Sequence, residues 1–175
     1  MVQKVKLSFL RLFSALILIS AFSSLSSCYT LSGSSIDPNW ETIRISTFPN
    51  FASYQNPNLS REFTTALQDI FNNRTKLALT NSEDADLQIE GEITSYQQSS
   101  VAIQANEVAG KNRLTVSVRV RYQNNKDESK SFDKSFSAYE DFDGNMTLMQ
   151  AEDSLLDSIL EQLTSQIFNA IAMDW

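Results

Sequence analysis

Hydrophobic and polar residues alternate along several stretches of the chain, which is the pattern of strands with one buried face. The clearest case is residues 113–123, where Leu, Val and Tyr occupy the even positions and charged or hydroxyl-bearing residues occupy most of the odd ones. Shorter alternations at residues 41–48, 76–80 and 130–138 have the same character. These segments are therefore predicted to be strands.

One stretch, residues 86–105, is unusually long. Apolar side chains keep to odd positions at both of its ends, around a polar middle. We therefore expect one continuous strand with a solvent-exposed centre, rather than two strands separated by a bulge. Such a strand is longer than a small domain needs, so it must bend or project. Residues 106–112 should then reverse the chain, making residues 87–138 an antiparallel meander.

Two other stretches carry apolar residues at three- and four-residue spacing, which predicts amphipathic helices. The first covers residues 58–74 and begins with the capping candidates Asn58 and Ser60. The second runs from residue 148 to about 172, and Thr147 with Gln150 resembles a capping box before it. The predicted fold class is α+β: a two-layer sandwich of two helices packed on a four-stranded, mainly antiparallel or mixed sheet, in the order βαβββα.

The first 27 residues read as a secretory signal peptide, because three cations precede and interrupt an apolar run that ends in small polar residues. Residues 25–28, Leu-Ser-Ser-Cys, resemble the lipobox of bacterial lipoproteins, which predicts that Cys28 is lipidated and becomes the first mature residue. An uncleaved anchor, or an ordinary signal peptide with a chance cysteine, is the alternative. Residues 28–39 are Ser-rich and aperiodic, typical of a tether, and residues 40–175 are expected to form one α+β domain.

Composition excludes several kinds of function. The chain has no His and one Cys, so it lacks the residues for Ser-His-Asp or Cys-His catalysis, a disulfide or a zinc site, and no cofactor is expected. Removal of residues 1–27 takes three of the 14 Lys and Arg, leaving 11 against 21 Asp and Glu, a net charge of −10. Such a chain is a poor partner for nucleic acid. We therefore expect a protein that is not an enzyme; a carboxylate-based glycan hydrolase is the least favoured alternative.

An acidic segment, residues 140–145, invites comparison with a calcium loop. Asp141, Asp143, Asn145 and Glu152 fall at its first, third, fifth and twelfth places. Gly144 stands fourth rather than sixth, and the helix is expected to start near Thr147. A capped, solvated turn is the favoured interpretation.

Arg119 and Arg121 lie on the polar face of the strongest predicted strand. With Lys111, Arg113, Lys130 or Lys134 nearby, they could form a cationic patch suited to the phosphates of a glycolipid. The competing interpretation is an ordinary charged sheet face, balanced by Glu90 and Glu92. We name Arg119 and Arg121 as candidate ligand-binding residues.

Several segments, taken in order, resemble the LptE family of lipopolysaccharide-assembly lipoproteins in the form found in Bacteroidetes. The resemblance is carried by the following segments: Cys28 with Tyr-Thr-Leu-Ser-Gly-Ser-Ser-Ile after it, Ile-Arg-Ile-Ser-Thr-Phe-Pro-Asn at 43–50, Asn-Leu-Ser-Arg-Glu-Phe at 58–63, Leu-Gln-Ile-Glu-Gly-Glu-Ile at 87–93, Val-Ala-Ile-Gln-Ala-Asn-Glu at 101–107, Asn-Arg-Leu-Thr-Val at 112–116 and Ala-Met-Asp-Trp at 172–175. Together they span nearly all of the mature chain.

The resemblance implies a lipoprotein anchored in the outer membrane on its periplasmic side. Its partners would be an LptD-like β-barrel, which it plugs and helps to assemble, and lipopolysaccharide on its way to the outer leaflet. It also implies the sandwich of two helices on a four-stranded sheet. The alternative is another periplasmic lipoprotein that acts as a lipid-transporter accessory or as the scaffold of an envelope complex.

Overall fold

A computed structural model describes residues 36–54, 56–101 and 110–173. The predictions for the signal peptide, for Cys28 and for most of the tether fall outside these ranges. The described residues form five strands and two helices: β1 Thr42–Ile45, α1 Leu59–Arg74, β2 Ala78–Leu79, β3 Leu87–Val101, β4 Lys111–Asn124, β5 Phe132–Asp143 and α2 Leu148–Ala172. A short 3-10 turn, Glu128–Lys130, joins β4 to β5.

The predicted α+β class is confirmed, with five strands in the sheet instead of four. The strand order is β2-β1-β3-β4-β5: β1 is parallel to β2 and β3, and β3, β4 and β5 are antiparallel to one another. The fifth strand is β2, a two-residue edge strand within residues 76–80, a segment that the alternation predicts as a strand but that the four-strand total leaves out. The sheet is therefore mixed, since β1, α1 and β2 form a parallel crossover unit beside an antiparallel meander.

Both helices cover the same face of the sheet. Their apolar stripes pack on the even positions of β4 and on alternate residues of the other long strands, and Phe71 of α1 meets Phe168 of α2 with 5.2 Å between ring centroids. Asn56, just before α1, bonds Glu152 in the first turns of α2, so the two helices run in the same direction. Apolar burial on one face leaves the opposite face of the sheet open to solvent.

The continuous parity predicted for β3 is wrong. The pairing of β3 with β4 shifts between Ile93 and Ser95, so a bulge at Thr94 moves the following side chains to the other face. Tyr96 therefore points into the core, 6% exposed, although it stands at an even position. Beyond it, residues 97–100 are exposed, because β1 no longer pairs with β3 here and the strand becomes an edge of the sheet. The strand therefore bends at the bulge, and the predicted chain reversal lies largely outside the described residues.

Phe48 shows how the bend after β1 is anchored. β1 leaves the sheet after Ile45 and rejoins β3 through the bridge between Asn50 and Ile93. Between these points, the ring of Phe48 is fully buried over Gly91, where an added Cβ would lie 2.6 Å from the ring. The Phe48 N–H donates to Thr64 of α1 at 3.1 Å, which ties the bend to the helix layer.

The predicted acidic loop is wrong in part, because β5 continues through residues 140–143. Phe142 is 6% exposed and faces the core. Glu140 also faces the helices, where its carboxylate accepts from Ser158 at 2.9 Å and from Gln162 at 3.2 Å. These bonds allow a charged residue to lie under α2.

Candidate functional site

The open face of the sheet holds the two arginines that the sequence singles out. The register places Arg119 opposite Glu92 on β3 and Ser135 on β5. Arg121 lies opposite Glu90 on β3 and Asp133 on β5 in the same way. Because residues two apart on a strand share a face, these side chains all lie on the open face. The five charged ones form a row across three strands: Glu90, Glu92, Arg119, Arg121 and Asp133.

Both guanidinium groups are already paired with carboxylates. Arg119 makes a two-point contact with Asp133, with Nε and Nη2 at 2.8 and 2.9 Å from the two oxygens. Arg121 donates to Glu90 at 2.8 Å and lies 3.8 Å from Asp133. The hydrogen bonds from Arg119 lower the pKa of Asp133, and the same pair raises the pKa of Arg119. The face is therefore an ion-paired network and not a free cationic patch.

The other cations named with the patch lie elsewhere. Arg113 pairs with Asp141 at 2.6 and 3.0 Å, near the start of β4. Lys134 lies opposite Val120, one position after Asp133, so it belongs to the other face of β5. Its ammonium group lies 4.7 Å from the ring centre of Phe132. Lys130 lies 5.6 Å from the ring centre of Trp40, in the turn region. Lys111 lies opposite Asp143 at the start of β4, so of the cations named above, all within the described residues, only Arg119 and Arg121 come together.

A concavity of about 410 Å³ opens beside this network. Its lining combines hydroxyls, carboxylates and guanidinium groups: Ser46, Thr47, Glu90, Gly91, Glu92, Arg119, Arg121 and Asp133. The volume lies within the range of sites for small ligands. It exists because β1 bends away from the sheet after Ile45 and exposes the Gly91 backbone. Sequence reasoning missed Asp133, Ser46 and Thr47, although Asp133 could have been found from its place in the β5 alternation.

The four residues that match a calcium-loop spacing do not converge. Asp141 is paired with Arg113, and this contact lowers the pKa of Asp141. Glu152 instead accepts hydrogen bonds from Tyr96 at 2.5 Å and from Asn56 at 2.9 Å. In the part of the chain that the structure describes, no group of three or more His, Cys, Asp or Glu side chains is arranged to hold a metal ion.

The Tyr96–Glu152 contact fastens the connection before α1 to the rest of the domain. Burial, and then the neighbouring Glu152 carboxylate, raise the pKa of Tyr96. Tyr54 stacks on Tyr96 with 5.1 Å between ring centroids, yet remains 52% exposed. Phe51 and Met149 are also exposed at this end of the sandwich, by 67% and 85%. Exposed apolar side chains of this size are typical of a protein-binding surface.

Fold and open face together define a class of protein: an α+β sandwich with helices on one side of a mixed sheet and a polar, ion-paired surface on the other. Within that class, the chain belongs to the LptE family of lipopolysaccharide-assembly proteins, whose family model matches residues 40–171. The match includes all five strands and nearly all of α2. The protein is therefore a lipopolysaccharide-assembly protein.

Solved structures share the fold at low sequence identity. A minor lipoprotein from Acinetobacter baumannii is 14% identical, with a TM-score of 0.51 over 75% of this chain and 92% of that chain. A hypothetical protein from Chlamydia trachomatis is 12% identical, with a TM-score of 0.50 over 77% of this chain and 99% of that chain. No curated protein matched the sequence. Among the described residues, no helix has both the length and the apolar character needed to cross a bilayer.

Proposed function

We propose that this protein is the lipoprotein subunit of an outer-membrane lipopolysaccharide translocon, where it plugs and helps to assemble an LptD-like β-barrel. The observation that carries the proposal is the family match over residues 40–171. A non-enzymatic role agrees with the amino-acid composition, since the chain has no His and a single Cys at the proposed lipidation position.

The free edge of β3 supports binding to a barrel. From Ser95 to Val101, β3 pairs with β4 on one side, whereas β1 and the bend after it pair with β3 only as far as Ile93. Residues 97–100 are polar and exposed along this edge. A polar strand edge suits the water-filled lumen of a large barrel, whose interior is itself polar.

The proposed anchor is a lipid on Cys28. With residues 1–27 removed, the thiol would carry acyl chains that hold the domain on the periplasmic side of the outer membrane. Two or more acyl chains give stable attachment, since each buried methylene contributes about 0.8 kcal/mol. Intact-mass measurement of the purified protein tests this: unmodified Cys28 at the mature terminus would contradict the anchor, and Cys28→Ala should carry no acyl chains.

The capture experiment that tests the partner uses the tagged full chain, purified from detergent-solubilised envelopes and analysed by quantitative mass spectrometry. We expect an LptD-like barrel to be enriched with the wild type. Replacing Phe51 and Met149 with Ser should reduce that capture several-fold, because both side chains are exposed beside the hairpin. The matched control is Leu79→Ser on the β2 edge, 42% exposed, which should not change it. Enrichment of an inner-membrane lipid transporter instead of a barrel would refute the proposal.

We also propose that Arg119 and Arg121 contact lipopolysaccharide. Their support is the concavity that they line on the face left open by both helices. Replacing both with Ala should weaken binding of lipopolysaccharide to the purified protein. Unchanged binding would remove these two residues from the contact surface.

A further inference from the structure

We infer that the concavity beside Arg119 and Arg121 binds the uncharged sugar part of a glycolipid, and not its phosphate groups. The inference rests on the proposed function and names the portion of the ligand that this face recognises. It follows from three properties of the site: its charge balance, its mixture of hydrogen-bond donors and acceptors, and the surface that continues from it along the sheet.

The charge balance disfavours a phosphate. Two guanidinium groups face three carboxylates, those of Glu90, Glu92 and Asp133, so the lining is negative by one charge. The best-placed donors of Arg119 are occupied by Asp133 at 2.8 and 2.9 Å. A phosphate would have to displace that carboxylate and then lie beside the others, and like charges at such a distance repel.

The same groups suit a sugar. A sugar hydroxyl both donates and accepts, so it can donate to a carboxylate while it accepts from a guanidinium group or a hydroxyl of the protein. Glu92 is half-buried and has no ion pair of its own among the described contacts, which leaves its oxygens available as acceptors. Thr47 is exposed in the bend after β1 and adds a hydroxyl at the rim.

The surface next to the concavity is uncharged and rich in hydroxyls. Thr115 and Ser117 follow on β4, with Ser137 beside Ser117 and a 3.0 Å bond between their oxygens. This track ends at Tyr139, a 50% exposed ring that Arg113 holds in place, with its guanidinium carbon 3.7 Å from the ring centre. Thr115 lies four positions before Arg119, about 13 Å along the strand, so the track could hold an oligosaccharide and not only one ring.

The test measures binding to the full lipidated chain in detergent micelles by isothermal titration calorimetry. The probe is a core oligosaccharide freed of its acyl chains and treated with phosphatase. Inorganic phosphate and intact lipopolysaccharide serve as separate ligands. The wild type should bind the oligosaccharide, and millimolar inorganic phosphate should not compete.

The decisive variant is Glu92→Gln, because the two ligand chemistries predict opposite signs. For a sugar, loss of a charged acceptor should weaken binding about fivefold or more. For a phosphate, loss of a negative charge should strengthen binding. The matched control is Glu62→Gln, the same change on α1 in the helix layer. It should change neither the binding of the oligosaccharide nor that of phosphate. Thr47→Ala is a second variant outside the strands and should also weaken oligosaccharide binding.

Three results would overturn the inference. Competition by inorganic phosphate, with tighter binding to Glu92→Gln, would make this a phosphate site. Intact lipopolysaccharide that binds the wild type and Glu92→Gln equally, without any binding of the oligosaccharide, would refute the inference and leave the proposed function standing. Loss of barrel capture in Glu92→Gln, again without oligosaccharide binding, would make the face a protein interface. The absence of both lipopolysaccharide binding and barrel capture would instead refute the proposed function.

Discussion

Asp86 offers a quantitative test of the structure, because one carboxylate joins three parts of the fold. It lies just before β3 and accepts from the backbone N–H groups of Glu41 at 2.7 Å and Thr42 at 3.1 Å. Lys126, from the turn after β4, contacts its other oxygen at 3.0 Å. The bond from Glu41 is the largest cause that lowers the pKa of Asp86 from 3.8 to about 2. The side chain is only 13% exposed, so little of this interaction is lost to solvent screening.

A pKa lowered in the folded state means that folding favours the charged carboxylate. The stabilisation is present above the unfolded pKa near 3.8 and is lost as the pH falls through about 2. This lowering corresponds to about 2 kcal/mol at pH 6 and to roughly half of that at pH 3. Asp86→Asn should therefore reduce the free energy of unfolding by about 2 kcal/mol at pH 6 and by clearly less at pH 3.

The assay is urea unfolding followed by circular dichroism at both pH values, with Asp84→Asn as the control. Asp84 is exposed two residues earlier, so its replacement should change the unfolding free energy by less than about 0.5 kcal/mol at either pH. An Asp86→Asn effect that is equal at pH 3 and pH 6, or absent at pH 6, would refute the linkage between the charge of Asp86 and folding.

Three further predictions concern packing. Gly91→Ala should lower the unfolding free energy by about 1–3 kcal/mol in urea titrations, because the new Cβ would collide with the carbonyl of β4 and with the ring of Phe48; an unchanged midpoint would contradict this. Phe48→Ala should cost about 3–5 kcal/mol, measured in the same way, since its ring is fully buried. Tyr96→Phe should cost about 1–2 kcal/mol and speed hydrogen exchange before α1, because Glu152 loses one of its two hydrogen-bond partners, whereas the exposed Tyr139→Phe should do neither.

The elements with the strongest periodicity could be predicted closely from the sequence. The second helix was expected at residues 148 to about 172, and α2 spans Leu148–Ala172. Its start is also set locally, since the Thr147 N–H donates to Gln150 at 3.0 Å. β4 was expected at residues 113–123 and spans Lys111–Asn124. In both cases, a single buried face fixes the element, so the apolar pattern is sufficient.

The bulge in β3 cannot be seen in the pattern, because apolar residues stand at odd positions both before and after it, although the two groups lie on opposite faces of the sheet. Odd positions carry apolar residues before the bulge up to Ile93, and Val101 after it is also odd. Val101 pairs with Lys111, which is in phase with Arg113 on the open face, so this valine no longer points toward the helices. The one signal was Tyr96, a large aromatic residue at an even position in a polar stretch, whose burial requires the change of face.

The arginine pairing needed information that the local pattern does not contain. Glu90 and Glu92 could be considered as partners because β3 and β4 were expected to pair. Asp133 becomes a partner only through the register of β4 with β5, which depends on the length of the turn at residues 125–131. A shift of one residue there would have moved Asp133 to the helix side of the sheet, leaving Arg119 without its two-point contact.

The placement of the two ends of the sheet bears directly on how the domain could meet its partner. Residues 36–40 enter the domain near the β4–β5 turn, where Trp40 lies 5.6 Å from Lys130. The hairpin end of β3 and β4 lies at the opposite end of the sheet, near the exposed Phe51 and Met149. A partner that binds this end therefore leaves the Trp40 end of the domain uncovered.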